Sequence, residues 1–295
     1  LAGCSAVAAA GLLARSEYER KHFVTDHYRV QSLKIPEAFD GYRMVFLADL
    51  HNNSFGSGNG QLLDAIRELR PDSIMVGGDM VVAKGLRSLK VPLSLMEALS
   101  ADYPVYYGLG NHERRMDRER DVYGNQYDVY MGALKKMGVH IMRDRWEYIS
   151  RGGQRIRVTG LDLDRRFYQK IGKRPMSQSD LAKLLGPGKC PEYHILLAHS
   201  PLYFKEYVQW GADLVLAGHF HGGTIRLPGL GGVMTPNYMF FPEYDRGFYQ
   251  EGESAMVLSA GLGTHSINIR LNNPSQLILI ELRRQHGTGS KTESI

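Results

Sequence analysis

The chain has 295 residues, 43% of them hydrophobic and 23% charged, enough to bury a substantial core as one large domain. Its net charge of +5 is spread over interleaved acids and bases, which leaves phosphorylated ligands open but lacks the basic, aromatic-studded stripe that makes nucleic acid a partner. The two cysteines, Cys4 and Cys190, exclude a disulfide framework and leave the redox compartment undetermined.

Residues 1–14 (LAGCSAVAAAGLLA) are almost wholly apolar and precede Arg15, Arg20 and Lys21. They fall short of the roughly 20 residues that span a bilayer, and read as a truncated membrane anchor or export signal. Leu1-Ala2-Gly3-Cys4 also has the form of a lipobox, which leaves acylation of Cys4 open. Residues 15–35 are charged and polar and are expected to form a juxtamembrane linker that enters a first strand at about 27–35. The chain is therefore expected at a bacterial membrane; the face is open, since basic residues favour the cytoplasm and an export signal the opposite side.

From residue 43 a pattern repeats. Residues 43–48 (RMVFLA) form an apolar run that stops at Asp49, as a buried strand delivering a side chain from its C-terminal end would. Leu62, Leu63, Ile66 and Leu69 stand at helical spacing ahead of Pro71. A strand at 73–76 then reaches Asp79, a helix at 88–100 follows, and a strand at 104–107 leads into the loop of Asn111 and His112. After a helix at 125–137, short strands at 139–142, 146–149 and 155–160 suit antiparallel pairing. Residues 165–190 read as a surface excursion carrying a helix at 178–185.

The theme then resumes with a strand at 193–198 ending at His199, a helix at 201–209, and a strand at 213–217 ending before His219 and His221. Strands are expected at 246–250, 255–260, 265–270 and 276–282, and 284–295 as a flexible tail. Strand–helix alternation followed by antiparallel strands predicts an α/β fold: two mixed sheets packed face to face with helices outside. With no clean linker, one domain over 36–283 is expected.

Five segments each end a hydrophobic run in metal-ligand residues: Asp49-Leu50-His51, Gly78-Asp79, Gly110-Asn111-His112-Glu113, Ala198-His199-Ser200 and Gly218-His219-Phe220-His221. Carboxylate and amide oxygens mixed with imidazoles suit Mg, Mn, Fe or Zn, and gathering such loops at strand ends is how an α/β scaffold builds a site. One such triplet alone is as well explained by turns and helix caps. The order and grammar of the set carry the reading of a two-metal phosphoesterase.

The set resembles the calcineurin-like metallophosphoesterase superfamily, whose motifs DxH, GDxxD, GNH(D/E), a lone His and GHxH correspond here to DLH, GDMVV, GNHE, AHSP and GHFH. The resemblance covers about 40–283. GGTIRLPG after the last motif and the late Asn272-Asn273-Pro274 further resemble its bacterial, often membrane-associated phosphodiesterase branch. It implies a four-layer α/β/β/α sandwich. It also implies one divalent ion on Asp49, His51 and His221 and a second on Asn111, His199 and His219, with Asp79 bridging. A shared hydroxide would attack phosphorus in line, and His112 would serve the leaving group as the catalytic residue.

Val82 departs from the family pattern, which places there an Asp that orients the GNH histidine and favours its protonated form; Glu113 or a carboxylate from another loop could substitute, or His112 could act neutral and less efficiently. Arg114 and Arg115 are candidates for a phosphate contact, and Tyr238, Phe240, Phe241, Tyr244, Phe248 and Tyr249 for the border of a pocket, with a solvated loop and ordinary packing as the respective alternatives. Asn52, Asn53 and His265 fall in expected loops. The expected activity is that of a phosphodiesterase or pyrophosphatase on a phosphate-ester small molecule. Alternatives are hydrolysis of a nucleotide-linked lipid intermediate and a non-catalytic scaffold of the same fold.

Overall fold

A computed structural model describes residues 2–168, 174–235, 238–264 and 268–285. Helix α1 (Ala2–Lys21) leads into strand β1 (Phe23–Ser32), so the stretch expected as a linker is helical through Lys21 and the strand begins earlier than position 27. There follow β2 (Arg43–Leu47), α2 (Gly60–Leu69), β3 (Ser73–Val76), α3 (Lys90–Asp102), β4 (Val105–Gly108) and α4 (Asn111–Arg118). Next come α5 (Arg120–Tyr123), α6 (Gln126–Lys136), β5 (His140–Met142), β6 (Arg145–Arg151), β7 (Gln154–Leu161) and α7 (Gln178–Leu185). The remainder comprises β8 (His194–Ala198), α8 (Phe204–Trp210), β9 (Leu214–Ala217), β10 (Arg226–Leu227), β11 (Gly231–Gly232), β12 (Gly247–Glu251), β13 (Ser254–Leu258) and β14 (Ser275–Arg284).

Two six-stranded sheets carry the fold, in the orders β1-β14-β2-β3-β4-β5 and β12-β13-β9-β8-β7-β6, with β10 and β11 as a separate hairpin. In the first sheet β2, β3, β4 and β5 are parallel, β14 is antiparallel to β2, and β1 is parallel to β14. In the second, β7, β8, β9 and β13 are parallel, and β6 and β12 are antiparallel edges. Of the three short strands expected to pair antiparallel, 146–149 and 155–160 do so as β6–β7, whereas 139–142 becomes β5, which lies in the other sheet parallel to β4. Among the described residues, 268–270 form no strand, whereas His265, the rest of 265–267 and the tail at 286–295 lie outside them.

The central strands bury both faces, and the period of two sorts their side chains between layers. Met44 and Phe46 of β2 and Ile278 and Ile280 of β14 meet Ile195 and Leu197 of β8 and Leu214 and Leu216 of β9 between the sheets. Val45, Leu47, Leu277 and Leu279 instead face Leu62, Ile66, Leu95, Leu99 and Leu134 of the helices on the outer side of the first sheet. Leu196, Ala198, Val215 and Ala217 face Leu181, Leu185, Phe204 and Tyr207 on the outer side of the second. The result is a four-layer α/β/β/α sandwich of two mixed sheets.

This layering brings the C-terminal ends of β2, β3 and β4 from one sheet against those of β8, β9 and β13 from the other. Backbone bonds lace the ends together: the amides of Leu262 and Gly263, just beyond β13, donate to the carbonyls of Ala48 and Asp49 beyond β2. All five ligand-bearing segments open onto this seam.

Candidate metal centre

Each strand stops by turning its chain sharply. Asp49, His51, Asp79, His219 and His221 all have positive φ, between 47° and 73°. Non-glycine residues are uncommon there, and their gathering in one place is the kind of backbone strain found at functional sites. Two glycines permit the crowding: a Cβ on Gly110 would lie 2.2 Å from Asp79 Oδ1, and one on Gly218 2.3 Å from Asp49 Oδ2.

The seven residues expected to hold metal, and His112, converge. Asp49, His51, Asp79, His199, His219, His221 and His112 are all buried, and Asn111 is half-buried with its Oδ1 turned inward from solvent. His51 Nε2 is 3.2 Å from His221 Nε2 and 3.7 Å from Asp49 Oδ1, while His221 Nε2 is 3.4 Å from that same oxygen. His199 Nε2 is 3.2 Å from Asp79 Oδ2 and 3.8 Å from Asp49 Oδ1. Ligand atoms of Asp49, His51 and His221 form one compact group, and those of Asp79, His199 and His219 another.

Backbone amides fix the carboxylates. The His219 amide donates to both oxygens of Asp49, at 3.2 and 3.0 Å, and the His112 amide, at the start of α4, donates to Asp79 Oδ1 at 2.7 Å. That leaves three buried atoms with no partner outside the cluster: Asp79 Oδ2 and His199 Nε2, which face each other, and Asn111 Oδ1. Three such atoms, one from each of three loops, fit a divalent cation, because buried polar groups left unsatisfied by the rest of the protein are otherwise costly.

The imidazoles sort by tautomer. His51, His199 and His221 each place Nδ1 on a carbonyl, that of Val81 at 3.2 Å, Gly77 at 2.7 Å and Gly263 at 3.0 Å. A carbonyl only accepts, so Nδ1 carries the proton of the neutral ring and Nε2, directed at the cluster, is the nitrogen that would offer its lone pair to a metal. His112 is the opposite: its Nδ1 accepts the Ala83 amide N–H at 2.7 Å. An amide only donates, so the neutral ring carries its proton on Nε2, 3.9 Å from Asp79 Oδ2. Although His51, Asp79 and His112 also lie close enough to hold an ion, this tautomer makes His112 a donor rather than a ligand.

Charge follows the same geometry. Burial alone would raise the carboxyls of Asp49 and Asp79, but the surrounding histidines hold both well below the usual carboxylate range. Burial opposes a charge on His199, yet Asp79 and Asp49 push its pKa up to about 10, so without a cation a proton occupies that position. Glu113, buried beside Asp79, is pushed up to about 7. It accepts the amides of Asp79, Met80 and Gly110 and the hydroxyl of Tyr107, at 2.8–3.0 Å, and thereby joins the loop after β3 to the start of α4.

Glu113 therefore braces backbone rather than orienting His112; the Ala83 amide does that. The amide is itself pinned, since the Ala83 carbonyl accepts the Tyr123 hydroxyl at 2.9 Å and Arg115 Nη1 at 3.4 Å. Arg114 is engaged as well, by ion pairs to Asp162 and Asp164 at 2.9 and 2.8 Å, so both arginines considered for phosphate are held by protein groups. Of the aromatic set, Tyr244 packs on Phe204 and Tyr249, and Phe248 stacks on Tyr28, whereas Tyr238, Phe240 and Phe241 are exposed.

Several contributors escape a reading of the motifs. Tyr168, in the segment read as a surface excursion, lies edge-on to His219 with ring centroids 5.1 Å apart. Arg270 is fully buried, and its guanidinium donates to the carbonyls of Ala260, Gly261, Gly263, Asn273 and Pro274, fixing the loop that receives His221. Asn273 Nδ2 donates to the His221 carbonyl at 2.6 Å. The Asn272-Asn273-Pro274 triplet was the one visible signal for this region.

Sandwich and cluster together define the class: a hydrolytic enzyme with a candidate metal centre at the seam of two sheets. The family model of the calcineurin-like phosphoesterases matches residues 42–223, more than half of the chain, and the chain belongs to that family of phosphoester-hydrolysing enzymes. It is 25% identical over 283 residues to the metallophosphoesterase YkuE of Bacillus subtilis, covering 94% of this chain and 92% of that one. It is 27% identical over 248 residues to phosphodiesterase YaeI of Escherichia coli, covering 82% of each. A transmembrane protein with metallophosphoesterase domain from Danio rerio is 28% identical over 263 residues, 85% of this chain and 55% of that protein. No helix among the described residues is long and apolar enough to cross a membrane.

Proposed function

We propose that the chain is a phosphodiesterase or pyrophosphatase with a dinuclear divalent metal centre. One ion is held by Asp49, His51 and His221, the other by Asn111, His199 and His219, with Asp79 shared between them. The single observation that carries this reading is the orientation of three imidazoles, each held at Nδ1 by a carbonyl so that Nε2 faces the cluster, beside buried Asp79 Oδ2 and Asn111 Oδ1 that have no hydrogen-bond partner outside it.

When bound, the cations supply Lewis acidity and an activated water for in-line attack on phosphorus. Mn, Fe, Zn and Mg all suit this donor set, and manganese is the ion to try first. The protein's own part is to keep Asp49 and Asp79 ionised, to hold the ligand rings in one tautomer, and to present His112 Nε2–H as a donor to the leaving-group oxygen. Lipid-borne substrates at a membrane surface are a second reading. It is supported by exposed Leu227, Leu230, Phe240 and Phe241 beyond His221, and by exposed Val7, Leu12 and Leu13 on α1.

The test is to assay full chain reconstituted with Mn2+ against matched phosphate monoesters, diesters, nucleotide-sugar pyrophosphates and a nucleotide-linked lipid. Asp79→Ala is run beside it, and bound metal is counted. Two equivalents of metal and diester or pyrophosphate hydrolysis, with a loss of at least about 10³-fold in Asp79→Ala, are expected. A wild-type protein that binds no metal and is as inactive as Asp79→Ala would overturn the reading in favour of a scaffold.

A further inference from the structure

Helix α1 is attached to the domain in an unusual way. Among its residues whose burial is described, only Ser16 and Glu19 are buried, and both are polar. A helix docked for stability alone would bury an apolar stripe; this one instead directs hydrogen-bond acceptors into the protein. An open cleft of about 670 Å³ lined by Arg15, Tyr18, Glu19, Val24, Asn272 and Pro274 runs beside the contact, so dense apolar packing does not close it.

The acceptors meet the segments that hold His221. Glu19 Oε2 accepts the Asn273 amide at 2.8 Å and Oε1 the Asn272 amide at 3.1 Å, with Arg15 paired to the same carboxylate at 2.9 Å. Asn273, fixed in this way, donates its side-chain amide to the His221 carbonyl. Ser16 Oγ accepts the Arg270 amide at 3.0 Å, and Arg270 Nη2 donates at 2.9 Å to the Gly263 carbonyl, the acceptor of His221 Nδ1–H. The Arg20 carbonyl accepts Asn53 Nδ2 at 3.0 Å, and the same amide nitrogen also donates to Leu262 at 2.8 Å. Both the ring and the backbone of His221 are therefore fixed by groups that α1 holds directly.

We propose that residues 16–20 of α1 belong to the scaffold of the metal centre, as positioning residues that set how tightly the Asp49/His51/His221 site holds its cation. The proposal rests on the metal reading above. Any force or ligand that shifts α1, including one seated in the adjoining cleft, would then act on one of the two ions and spare the other. Loss of groups that orient a metal-bound histidine typically weakens metal affinity 10- to 100-fold.

Full chain in detergent micelles is titrated with Mn2+ by calorimetry, and with Co2+ by absorption spectroscopy, as wild type, Glu19→Ala, Glu19→Gln, Ser16→Ala and Lys21→Ala. Wild type and Lys21→Ala, a substitution of an exposed residue, bind two ions. Glu19→Ala keeps one site at wild-type affinity and weakens the other roughly 10- to 100-fold with an altered Co2+ spectrum, and Glu19→Gln, which retains one acceptor oxygen, falls between. In a His221→Ala background Glu19→Ala causes little further loss, because both changes act on one site. Two wild-type affinities in Glu19→Ala overturn the proposal. Should that variant not fold, two wild-type affinities in both Glu19→Gln and Ser16→Ala overturn it. Wild type binding no ion overturns the metal reading instead, so the two failures are distinguishable.

Discussion

One backbone amide decides what His112 can do. With Nδ1 accepting from Ala83, the neutral ring offers Nε2–H and no lone pair toward the cluster, so under the proposed function its removal should act on rate and not on metal. His112→Ala is expected to lower turnover on a diester by about 10²-fold, the scale for losing one preorganised donor, and to leave two bound metal ions. Metal counting beside steady-state kinetics checks this; loss of one equivalent of metal would make His112 a ligand. The same detail shows where sequence reading stops. Asp49, Asp79, Asn111, His199, His219 and His221 were legible because each stands at the end of an apolar run. The replacement for the missing acid at Val82 was not, because a main-chain N–H has no sequence signature. Glu19 was equally hidden, as its partner Asn273 lies 254 positions later.

At the scale of elements, β8 carries a second histidine with no part in the centre. His194 is fully buried at the start of the strand; Nδ1–H donates to the carbonyls of Gly188 and Gly211 and Nε2 accepts the Thr159 hydroxyl at 2.8 Å, so the neutral ring is satisfied. Burial, then the charge of Arg157, pushes its pKa down to about 4 from 6.5. Between those values the unfolded chain binds a proton that the folded chain refuses. The contribution is therefore complete above pH 6.5 and is lost as pH falls toward 4, at roughly 1.4 kcal/mol per pH unit and about 3 kcal/mol in all. Urea melts from pH 7 to 4.5 should show His194→Asn losing about one proton's worth of pH dependence; equal slopes in both proteins would refute the assignment. The strands themselves were legible because buried parallel strands are short apolar runs. Helix α4 was not, since NHERRMDR has no apolar stripe and its first turn is held by Glu113 and Asp79. Helix α1 extended past the apolar 1–14 for a related reason: its charged turns bind the domain through Ser16 and Glu19, a polar contact that hydropathy cannot reveal.

At the scale of the whole molecule, the centre is where the two sheets are joined. Asp49, Asp79 and Asn111 follow strands of one sheet, and His199, His219 and His221 follow strands of the other, while the His199 ring donates to Gly77 across the seam. On the proposed ligand set, cations shared by ligands from both sheets would bind only when the sheets are packed, and so would act as linked ligands of the folded state. At a free metal concentration 100 times the dissociation constant, each proposed site would add about 2.7 kcal/mol, or roughly 4 °C in Tm for a chain of 295 residues. Metal bound at the proposed site would also displace the proton from His199, whose pKa is pushed up to about 10, so affinity should strengthen with pH through neutrality. Calorimetric melts at pH 6.5 and 8.0, with Mn2+ and then with chelator, are expected to show a metal-dependent rise in Tm that is larger at the higher pH. Asp79→Ala, which removes the carboxylate proposed to be shared by the two ions, should lose most of that rise. If Asp79→Ala gained as much from Mn2+ as wild type does, the stabilising ions would lie elsewhere, and the seam would owe its cohesion to packing between Met44, Phe46, Leu197 and Leu216 alone.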